Sequence, residues 1–240
     1  MKQSLSIIFP IYNEQNRIEK SFSNIEKFVQ TNTAFDLEII FVNDGSSDNT
    51  DAVIKKFLKN TNNKLYKYIN SKKNMGKGYA LKLGVKNAKK NWILTSDIDL
   101  SVPLYQINKW FNKYNIKNNS IKVFIGSRNI KESKVVKKLS RFFLGTIFSN
   151  LIRFLFKIDI KDTQCGFKLY RKEIAKQIFD KLRTFGFAHD IELIQKINNQ
   201  KITIKELPVN WTHVPESKLN ILLDPIKMII DIIKIYKKFK

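Results

Sequence analysis

The amino-acid sequence predicts an α/β fold in which a mostly parallel sheet is covered by helices on both faces. Two observations support this prediction. Short apolar runs typical of buried strands alternate with segments of helical periodicity through the first half of the chain. The apolar runs also end in polar or small residues, namely Asn13-Glu14, Asp44-Gly45, Asp97 to Asp99 and Gly126-Ser127-Arg128. Ligands of such sheets bind beyond the carboxyl ends of the strands, so we expect the functional site there.

The predicted elements follow one another in a regular order. A β-type run closed by Pro10 comes first, and Ile18 and Phe22 lie on one face of the helix that follows it. Asp48 or Thr50 is expected to cap the next helix. The predicted strands are residues 5–10, 37–42, 65–69, 92–96 and 121–125, and the predicted helices are residues 17–29, 50–58, 79–88 and 103–114.

The composition is that of a globular protein. At 240 residues with 43% hydrophobic side chains, the chain is long enough for one large domain with a sizeable core. Its single cysteine, Cys165, excludes an internal disulfide framework and suits the cytosol. The sequence has no run of about 18 uncharged apolar residues, so we expect no transmembrane helix. The apolar stretch 4–10 is too short for a signal peptide, so we expect no export.

The chain carries a formal net charge of +23. Such a surface attracts polyanions, which include nucleic acid, anionic lipid and nucleotide substrates. Alternatively, the lysines reflect a bias of the whole sequence towards Asn, Ile and Lys and form a solvated surface. A basic nucleic-acid-binding protein is therefore one candidate function. The acidic strand ends and the lack of a recognised nucleic-acid-binding motif argue against it, and we expect no nucleic-acid partner.

Asp97-Ile98-Asp99 follows a short apolar run and precedes Pro103, which is expected to open a helix. In an extended segment, alternation would place Asp97 and Asp99 on the same side, with Ile98 turned away. Two carboxylates so close repel each other, and a hard divalent cation that also holds a diphosphate would relieve the repulsion. We therefore predict a metal site at Asp97 and Asp99. The alternative is a local Asx turn that caps the following helix.

Residues 74–78 form a glycine loop that is expected to lead into a helix. Its spacing fits neither the dinucleotide-binding fingerprint nor the phosphate-binding Walker loop. Gly76 and Gly78 are compatible with a simple tight turn. Lys77 at the N-terminus of a helix would in addition suit an anionic group.

Four motifs in this order resemble the family 2 glycosyltransferases with a GT-A fold. The motifs are Pro10-x-Tyr12-Asn13-Glu14, Asn43-Asp44-Gly45-Ser46-x-Asp48-x-Thr50, Asn74-x-Gly76-Lys77-Gly78 and Asp97-x-Asp99. The resemblance implies a Rossmann-like three-layer sandwich, a nucleotide-sugar donor and a divalent cation, Mg²⁺ or Mn²⁺, on Asp97 and Asp99. It also assigns seven residues to donor binding, the first four of them around the nucleobase and ribose: Pro10, Tyr12, Glu14, Asp44, Asn74, Lys77 and Asp97.

The second half of the chain resembles the dolichyl-phosphate glucosyltransferase branch of that family, and the related polyprenyl-phosphate mannosyltransferases share much of its pattern. The matching motifs are residues 126–128, 162–168, 187–193 and 209–218. The mannosyltransferases commonly carry Gln after their metal carboxylates, where this chain has Ser101, and this departure slightly favours the glucosyl branch. The implied reaction is the inverting transfer of a hexose, glucose from UDP-glucose, to a polyprenyl or dolichyl phosphate.

The resemblance implies that catalysis rests mostly on positioning and charge stabilisation. The catalytic candidates are Asp99, Asp190, Arg128 and Lys168. Arg128 and Lys168 would bring positive charge to phosphate oxygens. Ser217 and Lys218 are expected to join them at the acceptor phosphate.

Two other glycosyl transfers stay open. The donor could be GDP-mannose, or the acceptor could be a hydroxyl group of a cell-surface glycan, with Asp190 as the general base. A phosphate acceptor is already an anion and needs no strong base, so Asp190 would then orient the sugar or a cation. A structural alternative is that Asp190 and Glu192 are only a charge pair in the first turn of a helix.

Residues 134–160 are expected to form interfacial helices on an anionic membrane surface. Within them, residues 139–158 carry small or basic residues every four positions in an otherwise apolar segment, which makes a narrow polar stripe on a helix. The alternative is a core helix buried by the domain.

A second amphipathic helix is expected in residues 220–240, after a catalytic domain of residues 1–219. Asp and Lys residues spaced three or four apart form one stripe along it, and most other positions are apolar. The sequence leaves open whether this helix docks on the membrane, on the domain or on a partner, such as a second copy or a membrane protein. We expect a peripheral enzyme on the cytoplasmic face of a membrane.

Overall fold

The computed structural model describes residues 2–118, 120–136, 152–214 and 223–239. Its strands are β1 (Gln3–Ile11), β2 (Phe35–Asn43), β3 (Tyr66–Asn70), β4 (Trp92–Thr95), β5 (Val123–Ser127), β6 (Lys134–Val136), β7 (Lys168–Arg171), β8 (Ile204–Pro208) and β9 (Asn210–Thr212). Its helices are α1 (Ile18–Thr31), α2 (Thr50–Thr61), α3 (Lys77–Asn87), α4 (Gln106–Lys113), α5 (Lys172–Asp180), α6 (His189–Asn199) and α7 (Leu223–Phe239). A short 3-10 helix, Ile116–Asn118, follows α4, and residues 152–156 are also helical.

Seven of these strands form one sheet in the order β3-β2-β1-β4-β7-β5-β8. All neighbouring strands are parallel, except that β7 runs antiparallel to both β4 and β5. Strand β1 lies between β2 and β4, where Ile7 is opposite Ile39 on one side and Leu94 on the other. Strands β6 and β9 form a separate parallel pair. The prediction of a mostly parallel sheet is confirmed.

Helices cover both faces of the sheet and give the three predicted layers. Along β1, Ile7 and Phe9 belong to the core on one face and Ile8 to the core on the other, because successive side chains of a strand alternate. Apolar residues of α1, α2 and α4 complete the first core, and those of α3, α5, α6 and α7 complete the second. The predicted three-layer sandwich is therefore confirmed.

The segment from Asp97 to Asp99 is a turn and not an extended strand, so the predicted alternation of the two carboxylates was wrong. Strand β4 ends before Asp97. The N–H of Leu100 donates to the carbonyl oxygen of Asp97 at 3.1 Å, and Leu100 has a φ of 52°. Asp99 Oδ1 accepts hydrogen bonds from the N–H of Ser101 at 2.9 Å and from its hydroxyl at 2.8 Å. The local Asx turn therefore describes Asp99.

Some boundaries differ from the prediction by a few residues. Helix α3 begins at Lys77, directly after Gly76, and not at Tyr79. Helix α4 begins at Gln106 and not at Pro103. The N–H of Gln106 donates to the carbonyl oxygen of Pro103 at 3.0 Å, so a turn precedes the helix. The consequence for the site is that Lys77 lies within the first turn of a helix.

The predicted interfacial helices of residues 134–160 are described only in part, because residues 137–151 lie outside the described ranges. Lys134–Val136 is strand β6, which pairs with β9, so the helical prediction was wrong for those residues. Residues 152–156 are helical as predicted. Ile152 is fully buried, whereas Phe154 is 82% exposed. This short helical segment thus packs on the core and presents an aromatic side chain to solvent.

Helix α7 packs on the domain through one of its faces. Ile232 and Ile235 are buried in the same core as α6, and the ring of Tyr236 meets the ring of Phe156 edge-on at 5.9 Å. The exposed apolar residues of this helix are Ile229, Ile230, Ile233 and Tyr236. Docking on the domain therefore leaves an apolar face for a second contact. No helix within the described ranges has the length and apolarity needed to cross a membrane.

Gly84 of α3 faces β1 at a place with no room for a side chain. A Cβ atom there would collide with Cγ2 of Ile8 and lie 3.2 Å from Cγ2 of Val42. Helix propensity alone favours alanine by about 1 kcal/mol, but overpacking costs about 1–3 kcal/mol. We expect Gly84→Ala to lower the free energy of unfolding by about 1 kcal/mol in urea titrations.

The control for this prediction is the same exchange in a chain that also carries Ile8→Ala. With the Ile8 side chain shortened, Gly84→Ala should cost clearly less stability, because the closer of the two steric contacts is removed and helix propensity favours alanine. An equal loss of stability in both backgrounds would contradict the steric explanation.

Candidate active site

The candidate active site lies at the edge of the sheet where β1, β2 and β4 end. The loops after β1 and β2 are joined by hydrogen bonds at this edge. The N–H of Asn13 donates to Ser46 Oγ at 2.9 Å, and the N–H of Ser47 donates to Asn13 Oδ1 at 2.8 Å. The N–H of Glu14 donates to Thr50 Oγ1 at 2.7 Å, at the start of α2. The two loops therefore form one continuous rim of the site.

Asp44 holds the glycine loop against the end of β2. Its buried carboxylate accepts the N–H of Met75 at 3.1 Å and the N–H of Gly76 at 2.7 Å. Burial raises the pKa of Asp44, although these two N–H groups act in the opposite direction. Gly76 has a φ of 106°, a conformation that favours glycine. The chain thereby enters α3 at a fixed place and sets the position of Lys77.

Lys77 and Asp97 form the ion pair at the centre of the site. Nζ of Lys77 lies 2.6 Å from Oδ1 of Asp97, whose side chain remains 39% exposed. Burial alone would raise the pKa of this carboxyl, but the charges of Lys77, Lys168 and Arg128 hold it below its ordinary value of 3.8. Burial also opposes the charge of Lys77, but Asp97 and Asp190 raise the pKa of its amine. Both groups are therefore charged at neutral pH.

Lys168 and Asp190 form a second ion pair, which is more deeply buried. Nζ of Lys168 donates to Oδ1 of Asp190 at 2.6 Å, and the two side chains are 3% and 7% exposed. Lys168 begins β7, and Asp190 lies in the first turn of α6. Burial would raise the pKa of Asp190, but the surrounding positive charges, including that of Lys168, lower it. Asp190 is therefore a paired carboxylate and a weak base.

Arg128 and Asp162 form a third, bidentate pair. Nε of Arg128 donates to Oδ2 of Asp162 at 2.7 Å, and Nη2 donates to Oδ1 at 2.8 Å. The guanidinium carbon also lies 5.7 Å from the centre of the Trp211 ring. The Arg128 side chain is 27% exposed. Its charge is thus held in a fixed orientation while it remains accessible to a ligand.

A cleft is lined by Asp97 of the first pair and Arg128 of the third. Its walls include Ser96, Asp97, Ser101, Arg128, Gln164 and Trp211. Gly166 closes one wall, because a Cβ atom at this position would lie 2.7 Å from Cγ of Asp97. The backbone therefore approaches the central carboxylate closely.

Gln164 is a candidate that the sequence did not single out. Its Nε2 is buried and has no hydrogen-bond partner among the residues the structure describes. A buried donor without a partner costs about 1–3 kcal/mol, so a ligand or a water molecule is expected to meet it. In the sequence, Gln164 could have been found from its place in the motif 162–168. That motif supported the family resemblance, but no role was assigned to each of its residues.

Most of the predicted donor-binding residues lie along this rim and in the glycine loop beside it. Tyr12 is 39% exposed and Asn74 is exposed, while Pro10 is half-buried near the end of β1. Glu14 is only 7% exposed, and its Oε1 accepts a hydrogen bond from Nη2 of Arg17 at 2.6 Å. Tyr12 and Asn74 are therefore accessible to a ligand, whereas Glu14 is engaged in an internal ion pair.

Ser217 and Lys218, the further candidates for the acceptor phosphate, lie outside the described residues. Two residues next to the site, Cys165 and His189, are buried. Cys165 is buried in the core, and burial raises the pKa of its thiol to about 11, which suits packing and not reactivity. Nδ1 of His189 lies 2.8 Å from the carbonyl oxygen of Gly186, in a supporting contact.

The carboxylates of this site do not form a closed metal site. Within the described ranges no three or more His, Cys, Asp or Glu side chains are grouped to hold a metal ion. Oδ1 of Asp97 contacts Lys77, and Oδ1 of Asp99 accepts from Ser101. Mg²⁺ is usually held by one or two carboxylates and completes its shell with water and substrate phosphates. The donor set therefore fits a cation that binds together with a diphosphate.

The architecture is similar to that of solved glycosyltransferases. One is glucosyl-3-phosphoglycerate synthase from Mycobacterium tuberculosis in complex with Mn²⁺, uridine diphosphate and glucosyl-3-phosphoglycerate. The TM-score is 0.66 at 16% identity, over 99% of this chain and 80% of that one. The sheet topology and this structural similarity together show that the chain has the GT-A fold of glycosyltransferases, as predicted.

This chain belongs to glycosyl transferase family 2, whose family model matches residues 6–179. It is 33% identical over 241 residues to a dolichyl-phosphate β-glucosyltransferase of Dictyostelium discoideum, covering 96% of this chain and 73% of that protein. It is 34% identical over 226 residues to the dolichyl-phosphate β-glucosyltransferase of Homo sapiens, covering 90% and 70%. The resemblance inferred from the four motifs is therefore confirmed, and the protein is a glycosyltransferase.

The pair of Lys168 and Asp190 gives a stability prediction. Asp190→Ala leaves the buried ammonium without its carboxylate, and we expect a loss of about 3 kcal/mol in the free energy of unfolding. The double variant Lys168→Met/Asp190→Ala removes the uncompensated charge and should recover most of that loss. Urea titrations of the three proteins measure the difference, and a double variant no more stable than Asp190→Ala would contradict the pairing.

Proposed function

We propose that this protein transfers glucose from UDP-glucose, with inversion, to the phosphate group of dolichyl or another polyprenyl phosphate at a membrane surface. The observation that carries the proposal is the ion pair of Lys77 with Asp97 at 2.6 Å, in a cleft that the Arg128 guanidinium also lines, because such paired cations suit phosphate groups. The similarity to dolichyl-phosphate β-glucosyltransferases along nearly the whole chain supports the choice of sugar and acceptor.

The donor is proposed to bind along the rim formed by the loops after β1 and β2. Tyr12 is accessible there and Asn74 is accessible in the neighbouring glycine loop, and Pro10, Glu14 and Asp44 would shape the rim for the nucleobase and ribose. Lys77 lies in the first turn of α3, where the positive end of the helix dipole also favours an anion, so it is placed to bind the diphosphate.

A divalent cation, Mg²⁺ or Mn²⁺, is proposed to be held by Asp97 and Asp99. When bound, it would neutralise the charge that develops on the leaving diphosphate. Asp97 is the better placed of the two, because its side chain is 39% exposed in the cleft. A glycosyltransferase of the same fold has been crystallised with Mn²⁺. Asp99, whose carboxylate accepts the N–H of Ser101, would be the second protein ligand of the cation.

The acceptor phosphate is proposed to bind near Arg128, with Lys168 contributing charge from beneath the cleft and Ser217 and Lys218 as further candidates. The phosphate oxygen attacks the anomeric carbon of glucose from the face opposite the leaving UDP, which inverts the configuration. That oxygen is already anionic, so no side chain has to remove a proton from it. Catalysis then consists of holding two anionic reactants in line.

Asp190 is proposed to orient Lys168 and not to act as a base. Its pKa is lowered and its Oδ1 accepts the Lys168 ammonium at 2.6 Å, so it is a poor proton acceptor. This arrangement disfavours a hydroxyl acceptor, for which Asp190 would be the general base. The choice between UDP-glucose and GDP-mannose rests on the similarity to glucosyltransferases.

Peripheral attachment to the cytoplasmic face of a membrane is proposed for the exposed apolar residues of α7 and the neighbouring helical segment. Phe154 is 82% exposed and Ile229 is 53% exposed, which is unusual for side chains of this size. The net charge of +23 would favour an anionic lipid surface. In this proposal residues 1–219 form the catalytic domain, and residues 220–240 contribute the docking helix.

The reaction is tested with purified protein, UDP-[¹⁴C]glucose, Mg²⁺ and dolichyl phosphate, followed by extraction into organic solvent. We expect label in the organic phase, its loss on addition of EDTA, and a fall in turnover of about 100-fold for Asp97→Asn. Asp36→Asn is the matched control, because Asp36 is exposed at the opposite end of β2 and should leave turnover unchanged.

Two outcomes would contradict the proposal. Label that enters water-soluble glycan and never the organic phase would favour a hydroxyl acceptor. Transfer from GDP-mannose in place of UDP-glucose would overturn the choice of donor.

Membrane attachment is tested by flotation with vesicles that contain anionic phospholipid. Ile233→Asp places a charge on the exposed apolar face of α7 and should reduce the bound fraction several-fold. Asn24→Asp makes the same change of charge at an exposed position of α1 and should leave binding unchanged. Equal flotation of both variants, or a dimer that buries Ile233, would contradict the membrane assignment.

A further inference from the structure

The loop of residues 181–188, which joins α5 to α6, is held in place by a buried carboxylate. Glu192 is 1% exposed, and its Oε2 accepts the N–H of Thr184 at 2.6 Å and the N–H of Arg183 at 3.1 Å. Burial would raise the pKa of Glu192, but hydrogen bonds from Lys238 and the Thr184 N–H lower it to about 2. Glu192 is therefore ionised at neutral pH and fixes this loop through its charge.

The same loop supports the N-terminus of α3. The carbonyl oxygen of Phe185 accepts the N–H of Gly78 at 2.8 Å. A Cβ atom on Gly78 would lie 2.9 Å from the carbonyl oxygen of Thr184, and one on Gly76 would lie 2.9 Å from the carbonyl carbon of Phe185. Lys77 is thus flanked by two glycines because the 181–188 loop packs directly against them. A shift of this loop would move Lys77.

Helix α7 contacts the carboxylate that holds this loop. Nζ of Lys238 lies 2.9 Å from Oε1 of Glu192, and Nζ of Lys196 lies 3.2 Å from the same oxygen. Lys238 crosses from the end of α7 to a carboxylate of α6, whereas Lys196 belongs to α6 itself. The Lys238 side chain is 44% exposed, so it can be replaced without opening the core.

We propose that Glu192 and Lys238 are positioning residues that connect the docked helix α7 to the donor-binding lysine, Lys77. The connection runs from Lys238 to Glu192, from Glu192 to the backbone of the 181–188 loop, and from that loop to the first turn of α3. Docking of α7 thereby strengthens binding of a nucleoside diphosphate at the far end of the connection. The inference rests on the proposed function, in which Lys77 binds the donor.

We expect this connection to act on the donor. Lys238 does not line the cleft, and its ion pair is with Glu192, so its replacement is expected to reach the site through the loop and α3. Arg128 and Lys168, the candidates for the acceptor phosphate, are held by Asp162 and Asp190 through bonds that involve neither the 181–188 loop nor α7. Loss of the Lys238 contact should therefore raise KM for the nucleotide sugar and leave KM for the lipid phosphate unchanged.

The test compares Lys238→Met with Lys237→Met. Lys237 is the neighbouring exposed lysine of the same helix, so both variants remove one positive charge from the same end of α7. Calorimetry with UDP and Mn²⁺ gives the affinity, and steady-state kinetics give both KM values. For Lys238→Met we expect UDP affinity to fall about tenfold, within the range usual for coupling between distant sites. Lys237→Met should match the wild-type protein, and Lys238→Arg should restore binding.

Glu192→Gln provides a second variant that keeps the shape of the side chain and removes its charge. It should weaken UDP binding in the same direction as Lys238→Met. Equal UDP affinity in Lys238→Met and Lys237→Met would overturn the inference, as would an equal rise of both KM values. If the wild-type protein transfers glucose but Lys238→Met and Lys237→Met have equal UDP affinity, only this inference is refuted. A wild-type protein that binds no UDP refutes the proposed function and this inference together.

Discussion

The candidate site depends on three ion pairs, which are Lys77 with Asp97, Lys168 with Asp190 and Arg128 with Asp162. Taking a charge out of water is costly unless a partner compensates it. Each carboxylate therefore allows a cation to sit in or beneath the cleft. Two of the pairs also join separate elements. Lys77 of α3 meets Asp97 just after β4, and Lys168 of β7 meets Asp190 of α6. The carboxylate with the greatest exposure is Asp97, where a ligand can compete for the partner.

The parallel sheet was predictable because strands buried on both faces read as apolar runs, such as residues 39–42 of β2. Strand β7 was not predictable. It begins with the charged Lys168, and its antiparallel pairing with β4 and β5 depends on contacts between residues far apart in the sequence. The segment at Asp97 was mistaken for a strand end. There, the hydrogen bonds from Ser101 to Asp99 favour a turn that a period-two pattern does not reveal.

The convergence of polar residues at one edge was also predictable, because parallel strands place their carboxyl ends together. The pairing within the site was not. Lys168 and Asp190 are 22 residues apart, and Arg128 and Asp162 are 34 residues apart, so no local pattern indicates which cation meets which carboxylate. The contact from α7 to Glu192 was hidden for the same reason. The sequence showed a polar stripe but not the buried carboxylate that receives one of its lysines.

Asp97 is proposed to exchange its contact with Lys77 for a cation that carries the donor diphosphate. A crystal soaked with UDP and Mn²⁺, with the metal located by anomalous scattering, tests this exchange. We expect Mn²⁺ at about 2.1 Å from an oxygen of Asp97, with the Lys77 ammonium moved onto a phosphate oxygen. Manganese and nucleotide bound elsewhere, with the pair of Lys77 and Asp97 intact, would contradict it.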